Sequence, residues 1–231
     1  WENGAVALPT EDEWYKAAYF SGQPAPGDWT NQVPKGWSIS NGDKHGNLVS
    51  EETGPIETAQ EFNGWTFHNL KSWSRNKNKR DSFNFGEGIV AVVDPYEFSS
   101  ETGGVTTQST LSTPSIDISG AVAGQLKLSF DSSWPKHWAD HASVSVSYDG
   151  AAPISLLSPK SKWGINSHKT VNLNNPEGAQ SVVVTWSYEF ATKFWAIDNI
   201  LVSDEHDNDY FIENFEGLAL KSYQSPTLPE G

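Results

Sequence analysis

The sequence contains no cysteine and no methionine in 231 residues. The missing thiols exclude disulfides, thiolate metal sites and thiol nucleophiles. Cations are scarce: 15 Lys and Arg stand against 29 Asp and Glu, a formal net charge of −14. That balance argues against sequence-independent binding of nucleic acid and against attraction to anionic lipid. No apolar run approaches the roughly 20 residues that span a bilayer, and no basic segment followed by an apolar one opens the chain. Because it starts at Trp1 and lacks methionine, the chain is expected to be processed or a piece of something longer. Glycine-rich phosphate loops and Gly-x-Ser-x-Gly elbows are also missing. No pair of carboxylates is singled out for glycoside hydrolysis, so the expectation is a protein that is not an enzyme.

Aromatic residues, by contrast, are abundant: 11 Trp, 11 Phe and 7 Tyr accompany 19 Gly and 13 Pro, a composition suited to extracellular β-rich modules. Thr10 and Glu13 form a capping box before Trp14–Tyr19, which predicts a short N-terminal helix. Residues 21–36 are rich in Gly and Pro and read as a lead-in. Short apolar or alternating runs then recur near residues 36–39, 63–67, 88–93, 115–118, 126–130, 142–148, 154–157, 170–173 and 181–186. With residues 194–202 they make about ten strands, so the expected fold is an antiparallel β-sandwich. Asp149-Gly150 marks a hairpin. Residues 99–112, rich in Ser, Thr and Gly, read as a loop, and Lys71, Arg75, Lys77, Lys79 and Arg80 as a solvated basic loop.

Residues 194–202 run Phe-Trp-Ala-Ile-Asp-Asn-Ile-Leu-Val, a buried strand interrupted by one carboxylate. Period-2 geometry puts Asp198 on a face with Ala196, Ile200 and Val202, where a charge needs compensation. Two accounts are open: a carboxylate accepting backbone hydrogen bonds at a sheet edge, or a bound divalent ion. This strand resembles the last strand of jelly-roll β-sandwiches in secreted bacterial carbohydrate-binding and adhesin-like modules. The resemblance implies a structural calcium held by the aspartate of this strand together with an acid of a first-strand Phe-Glu-Gly. The matching residues are Asp198 and Glu216, although Phe215-Glu216-Gly217 stands at the C-terminal end.

The expected division is an N-terminal helical appendage over 1–27, a jelly-roll sandwich over 28–203, and a first-strand-like segment over 204–231. That last segment has three expected arrangements: a strand closing its own sheet, the start of a further repeat, or a strand donated to a neighbouring copy. Residues 8–18 also resemble a segment of the formylglycine-generating sulfatase-modifying family. The remainder of that family's catalytic domain, its cysteines included, is missing here, so no activity is implied.

His137 and His141 have a metal-like spacing but sit in a loop-like stretch without the glutamate of a zinc-protease motif. The same stretch carries Trp134, Lys136, Trp138 and Asp140, while Trp65, Trp73 and Trp163 fall at strand ends or in loops. Aromatic faces beside polar groups suit sugar rings, and for each tryptophan the competing role is to cap the core. Trp37, Trp186 and Trp195 are expected in the core. The candidate ligand-binding residues are therefore Trp134, His137, Trp138, Asp140, Trp73 and Trp163. The expected function is a non-catalytic, secreted or cell-surface module that binds glycan or surface polysaccharide. The alternative is a fibre or surface-layer subunit polymerising through its C-terminal strand.

Overall fold

A computed structural model describes residues 28–41, 49–50, 54–55, 64–76, 78–95, 108–135, 141–158, 163–189 and 193–221. The expected N-terminal helix and the sulfatase-modifying-like stretch lie outside them. Two antiparallel sheets face each other, as the alternating strands predict. The strands are β1 (Trp29–Thr30), β2 (Ser38–Asn41), β3 (Val49–Ser50), β4 (Gly54–Pro55), β5 (Trp65–Asn69), β6 (Ile89–Val93), β7 (Gln108–Ser112) and β8 (Ile116–Asp117). They continue with β9 (Lys127–Ser133), β10 (His141–Tyr148), β11 (Ile154–Leu157), β12 (Ser167–Asn172), β13 (Ser181–Glu189), β14 (Trp195–Ser203) and β15 (Asp209–Glu213). The first sheet runs β1-β5-β6-β14-β9-β12, with β15 also on β14; the second runs β11-β10-β13-β7-β2, with β8 on β13. Strands β3 and β4 form a separate pair.

Inward positions fill the core. Leu126, Leu128, Phe130, Val144, Val184 and Trp186 are fully buried, as their period-2 spacing requires. Trp37 stacks on Trp186, and Trp195 tilts against Trp65. The Asp149-Gly150 turn has both residues at positive φ, 50° and 75°, the conformation that matches strand twist in a two-residue hairpin. It joins β10 to β11.

Residues 108–112, expected within a loop, form β7 between β13 and β2. Its inward Ser109 is buried because the hydroxyl is satisfied: it accepts from the Trp65 N–H and donates to Asn41 Oδ1. A hydroxyl with both roles filled is tolerated where sequence composition alone suggests solvent.

Strand β14 holds the first sheet together and breaks the simple period. Trp195 and Ile197 face the core while Ala196 packs on the outer side. At Asn199 the backbone turns to φ 50° and the register with β9 shifts. Past this bulge Ile200 and Val202 point into the core, so they do not share the face of Ala196, contrary to the expected alternation. An extra residue in a bulge inverts the parity of the residues beyond it.

The bulge also divides one edge of β14. Residues 195–197 pair with β6, and residues 200–203 pair with β15 of the same chain. The β14 to β15 turn is tied by Asp204, whose carboxylate accepts from the N–H groups of His206 and Asn208. After β15, Phe215 inserts into the core against Trp37 and Phe67, and Lys221 N–H donates to Trp29 O at 2.7 Å. The C-terminal segment thus crosses from β14 to β1 within one chain. Among the described residues no helix is long and apolar enough to cross a membrane.

Candidate functional site

Between β5 and β6 the chain covers the outer face of the first sheet. Asn69 caps the one-turn helix α1 (Leu70–Trp73) by accepting from Ser72 N–H at 3.1 Å. Trp73 and Phe83 then pack on Val90, Val92, Phe194 and Ala196, a second apolar cluster. This cover explains why all five residues of β6 are buried: both faces are shielded, which a continuous apolar run reflects.

Arg80 fixes the cover. Contrary to its expected place in a solvated loop, its side chain is 1% exposed and its Nε donates to Asp94 Oδ2 at 2.8 Å. Trp73 Nε1–H donates to the same oxygen at 3.0 Å, and the guanidinium lies over the Trp73 and Phe194 rings. Asp94, which in sequence reads only as a strand terminator, supplies the counter-charge that makes burial of Arg80 tolerable. Lys71, Arg75 and Lys79 are exposed; Lys77 lies outside the described residues.

A cleft of about 490 Å³ opens in this cover, lined by Leu70, Lys71, Asp81, Phe83 and Asn84 among others. Leu70, half-buried, supplies apolar surface, and the buried Phe83 ring backs it from below. Lys71, Asp81 and Asn84 are exposed and supply charged or hydrogen-bonding groups. Phe85, next in the chain, is 49% exposed.

Beside the cleft, two carboxylates meet one short stretch of backbone. Asp198, with no exposed surface, accepts from Glu87 N–H at 3.0 Å and from Asn199 N–H at 2.8 Å. Glu216 accepts from Ile89 N–H at 2.7 Å. Burial, reinforced by the charges of Glu216 and Asp131, pushes Asp198 up to about 7 against the pull of its N–H donors. Gly88, at φ 51°, lies under Glu216; a Cβ there would come 1.8 Å from Oε1. Among the described residues no three His, Asp or Glu side chains group so as to hold a metal ion by themselves.

The tryptophans expected to bind ligand are placed differently. Trp134 is fully buried, edge-on to Trp163 and Tyr188. Trp73 is 5% exposed with its indole N–H on Asp94. Neither ring offers a face to a sugar: Trp134 belongs to the main core and Trp73 to the cluster over the outer face of the first sheet, because a large apolar ring gains most where it is covered. Trp65 is buried as well. Trp163 is half-buried, donates to Ser158 O at 3.0 Å, and has Lys169 Nζ 5.7 Å from its ring centre. Trp138, His137 and Asp140 lie outside the described residues. Asn84 and Phe85 are absent from the residues that sequence singles out; Phe83-Asn84-Phe85-Gly86 alternates aromatic rings with turn formers, a signal available before the fold.

No family model matches the chain, and no curated protein does. Among solved structures, it is similar to a family 61 carbohydrate-binding module in complex with β-1,4-galactotriose, at 13% identity and TM-score 0.46, covering 74% of this chain and 90% of that one. It is also similar to the K1 cleaved adhesin domain of Lys-gingipain from Porphyromonas gingivalis W83, at 18% identity and TM-score 0.45, covering 76% and 94%. A family 22 carbohydrate-binding module of Clostridium thermocellum Xyn10B follows at 11% and 0.35, covering 54% and 78%. Each of these TM-scores is below 0.5, so the case for a ligand rests on the side chains of this chain alone.

Proposed function

We propose that this chain is a non-catalytic glycan-binding module of a secreted or surface protein. The observation that carries the reading is the cleft over the first sheet. It joins apolar surface from Leu70, backed by the buried Phe83, to the polar groups of Lys71, Asp81 and Asn84, and a sugar ring needs both an apolar face for its C–H groups and partners for its hydroxyls. Its volume of about 490 Å³ falls in the range of small-ligand sites. The test is a glycan array followed by calorimetry, comparing the intact chain with Asn84→Ala and Lys71→Ala. Binding weakened by both variants, with unchanged melting temperature, supports the cleft; binding unaffected by either refutes it.

A structural calcium is part of the proposal. Asp198 and Glu216 approach one backbone stretch, residues 87–89, and Asp198 is fully buried. Carboxylate oxygens are hard donors that suit calcium, which would complete its shell with carbonyl oxygens and water, and they do not suit a soft or nitrogen-seeking metal. Asp198 and Glu216 would hold the ion, which would supply the positive charge that two adjacent carboxylates call for. Its role is to fasten β15 and the cover loop to β14.

A further inference from the structure

We infer that the exposed ring of Phe85 and the imidazole of His168 form a second sugar subsite, contiguous with the cleft through Asn84 and Gly86. This inference rests on the glycan reading of the cleft. It makes the ligand an oligosaccharide chain rather than a single sugar.

The peptide groups around Phe85 are held at both ends. The Phe85 N–H donates to Asn166 Oδ1 at 2.8 Å, and Phe85 C=O accepts from Asn199 Nδ2 at 3.2 Å. Both asparagines stand at positive φ, 74° and 50°, a conformation uncommon outside glycine and best tolerated by asparagine. A large apolar side chain, 49% exposed, is thus carried on backbone pinned from two separate segments.

The same network reaches the imidazole. Asn199 Nδ2 also donates to Asp131 Oδ2 at 2.9 Å, and Asp131 Oδ1 lies 2.8 Å from His168 Nδ1. Asp131 is almost buried whereas the His168 side chain is 54% exposed. A carboxylate engaging Nδ1 fixes the ring's orientation and leaves Nε2 as its remaining polar atom. An exposed aromatic ring on pinned backbone and an oriented imidazole, linked through Asn199 and Asp131, are the two elements sugar recognition requires: a stacking face and a hydrogen-bonding group. Because the Phe85 backbone and the imidazole are held before ligand arrives, less ordering entropy opposes binding.

The line of chain from the cleft to this pair is short. Asn84 and Gly86 line the cleft, and Phe85 lies between them in sequence. Phe85 thus adjoins the cleft through both of its chain neighbours.

Calorimetry tests this with D-galactose, β-1,4-galactotriose, D-glucose and cellotetraose as probes. For at least one pair, the intact chain should bind the oligosaccharide at least about fivefold more tightly than its monosaccharide, the scale of one aromatic contact. Phe85→Ala and His168→Ala should remove that gain, Phe85→Trp should keep it, and Asn84→Ala should weaken monosaccharide and oligosaccharide alike. If Phe85→Ala leaves oligosaccharide affinity at the intact value while Asn84→Ala lowers it, the subsite is overturned and the glycan reading stands. If none of the four probes, and no glycan on an array, binds the intact chain, both fall together.

Discussion

Asp198 and Glu216 accept hydrogen bonds from the N–H groups of Glu87 and Ile89, two residues apart on the same backbone. One carboxylate comes from the central strand β14 and the other from the segment after β15. The junction of β6, β14 and β15 thus brings two carboxylates to one stretch of backbone. Calcium should raise the melting temperature of the intact chain, and a chelator should lower it, because an ion bound only to the folded state stabilises it. Asp198→Asn and Glu216→Gln should each abolish the calcium response. Identical melting of the intact chain with calcium and with chelator would exclude a bound structural ion.

The pH dependence of the chelated protein follows from Asp198. Its folded value is raised from 3.8 to about 7, so the folded state holds the proton more tightly than the unfolded chain. That contribution is fully present below the ordinary value and is lost as pH rises through about 7. In chelator, the melting temperature should therefore fall between about pH 5 and about pH 8, and Asp198→Asn should reduce the fall. With calcium the ionised carboxylate is the bound form, so the loss over that interval should shrink or reverse.

Gly88 has no room for a side chain. Its φ of 51° and the 1.8 Å approach of a Cβ to Glu216 Oε1 mean that Gly88→Ala must displace the carboxylate. The expected cost is about 1 kcal/mol or more from the backbone conformation alone, together with a weakened calcium response. Urea denaturation with and without calcium reads both.

The buried ion pair gives a further test. Asp94→Asn leaves the Arg80 charge buried without its carboxylate, and should cost about 3–5 kcal/mol. Replacing both, as Arg80→Met with Asp94→Leu, should cost much less than the sum of the single changes, because no lone charge then remains. A double-mutant cycle by urea denaturation would show it, and full additivity would contradict the pairing.

The sandwich is legible in the sequence because its core strands alternate cleanly: Val144, Val146 and Tyr148 on β10 and Leu126, Leu128 and Phe130 at β9 all face inward. The site is less legible. Period-2 reasoning carries Asp198 onto the outer face with Ala196, but it cannot see the bulge at Asn199 that returns Ile200 and Val202 to the core. Trp134 is misplaced because a tryptophan beside Pro135 and charged residues reads as a loop, whereas long-range packing on Trp163 and Tyr188 buries it. Arg80 is lost in its basic neighbourhood because its partner, Asp94, comes into reach only once β6 folds back under the cover. The Phe215-Glu216-Gly217 motif is visible, yet its place beside β14 depends on a hairpin that sequence leaves as one of three arrangements.

The C-terminal segment should be integral to the chain that carries it. Phe215 is fully buried against Trp37 and Phe67, so Phe215→Ala should cost about 3–5 kcal/mol. Ending the chain at Asn208 should cost more, since it also leaves half an edge of β14 open. Light scattering would show whether the shortened chain then associates.

The most direct test of glycan binding in the cleft is calorimetric titration of glycans selected on an array into the intact chain and into Asn84→Ala, both with calcium. Saturable binding by the intact chain is predicted, with clear weakening in the variant at equal melting temperature. Equal affinity in the two proteins, or no binding to any glycan, would contradict it.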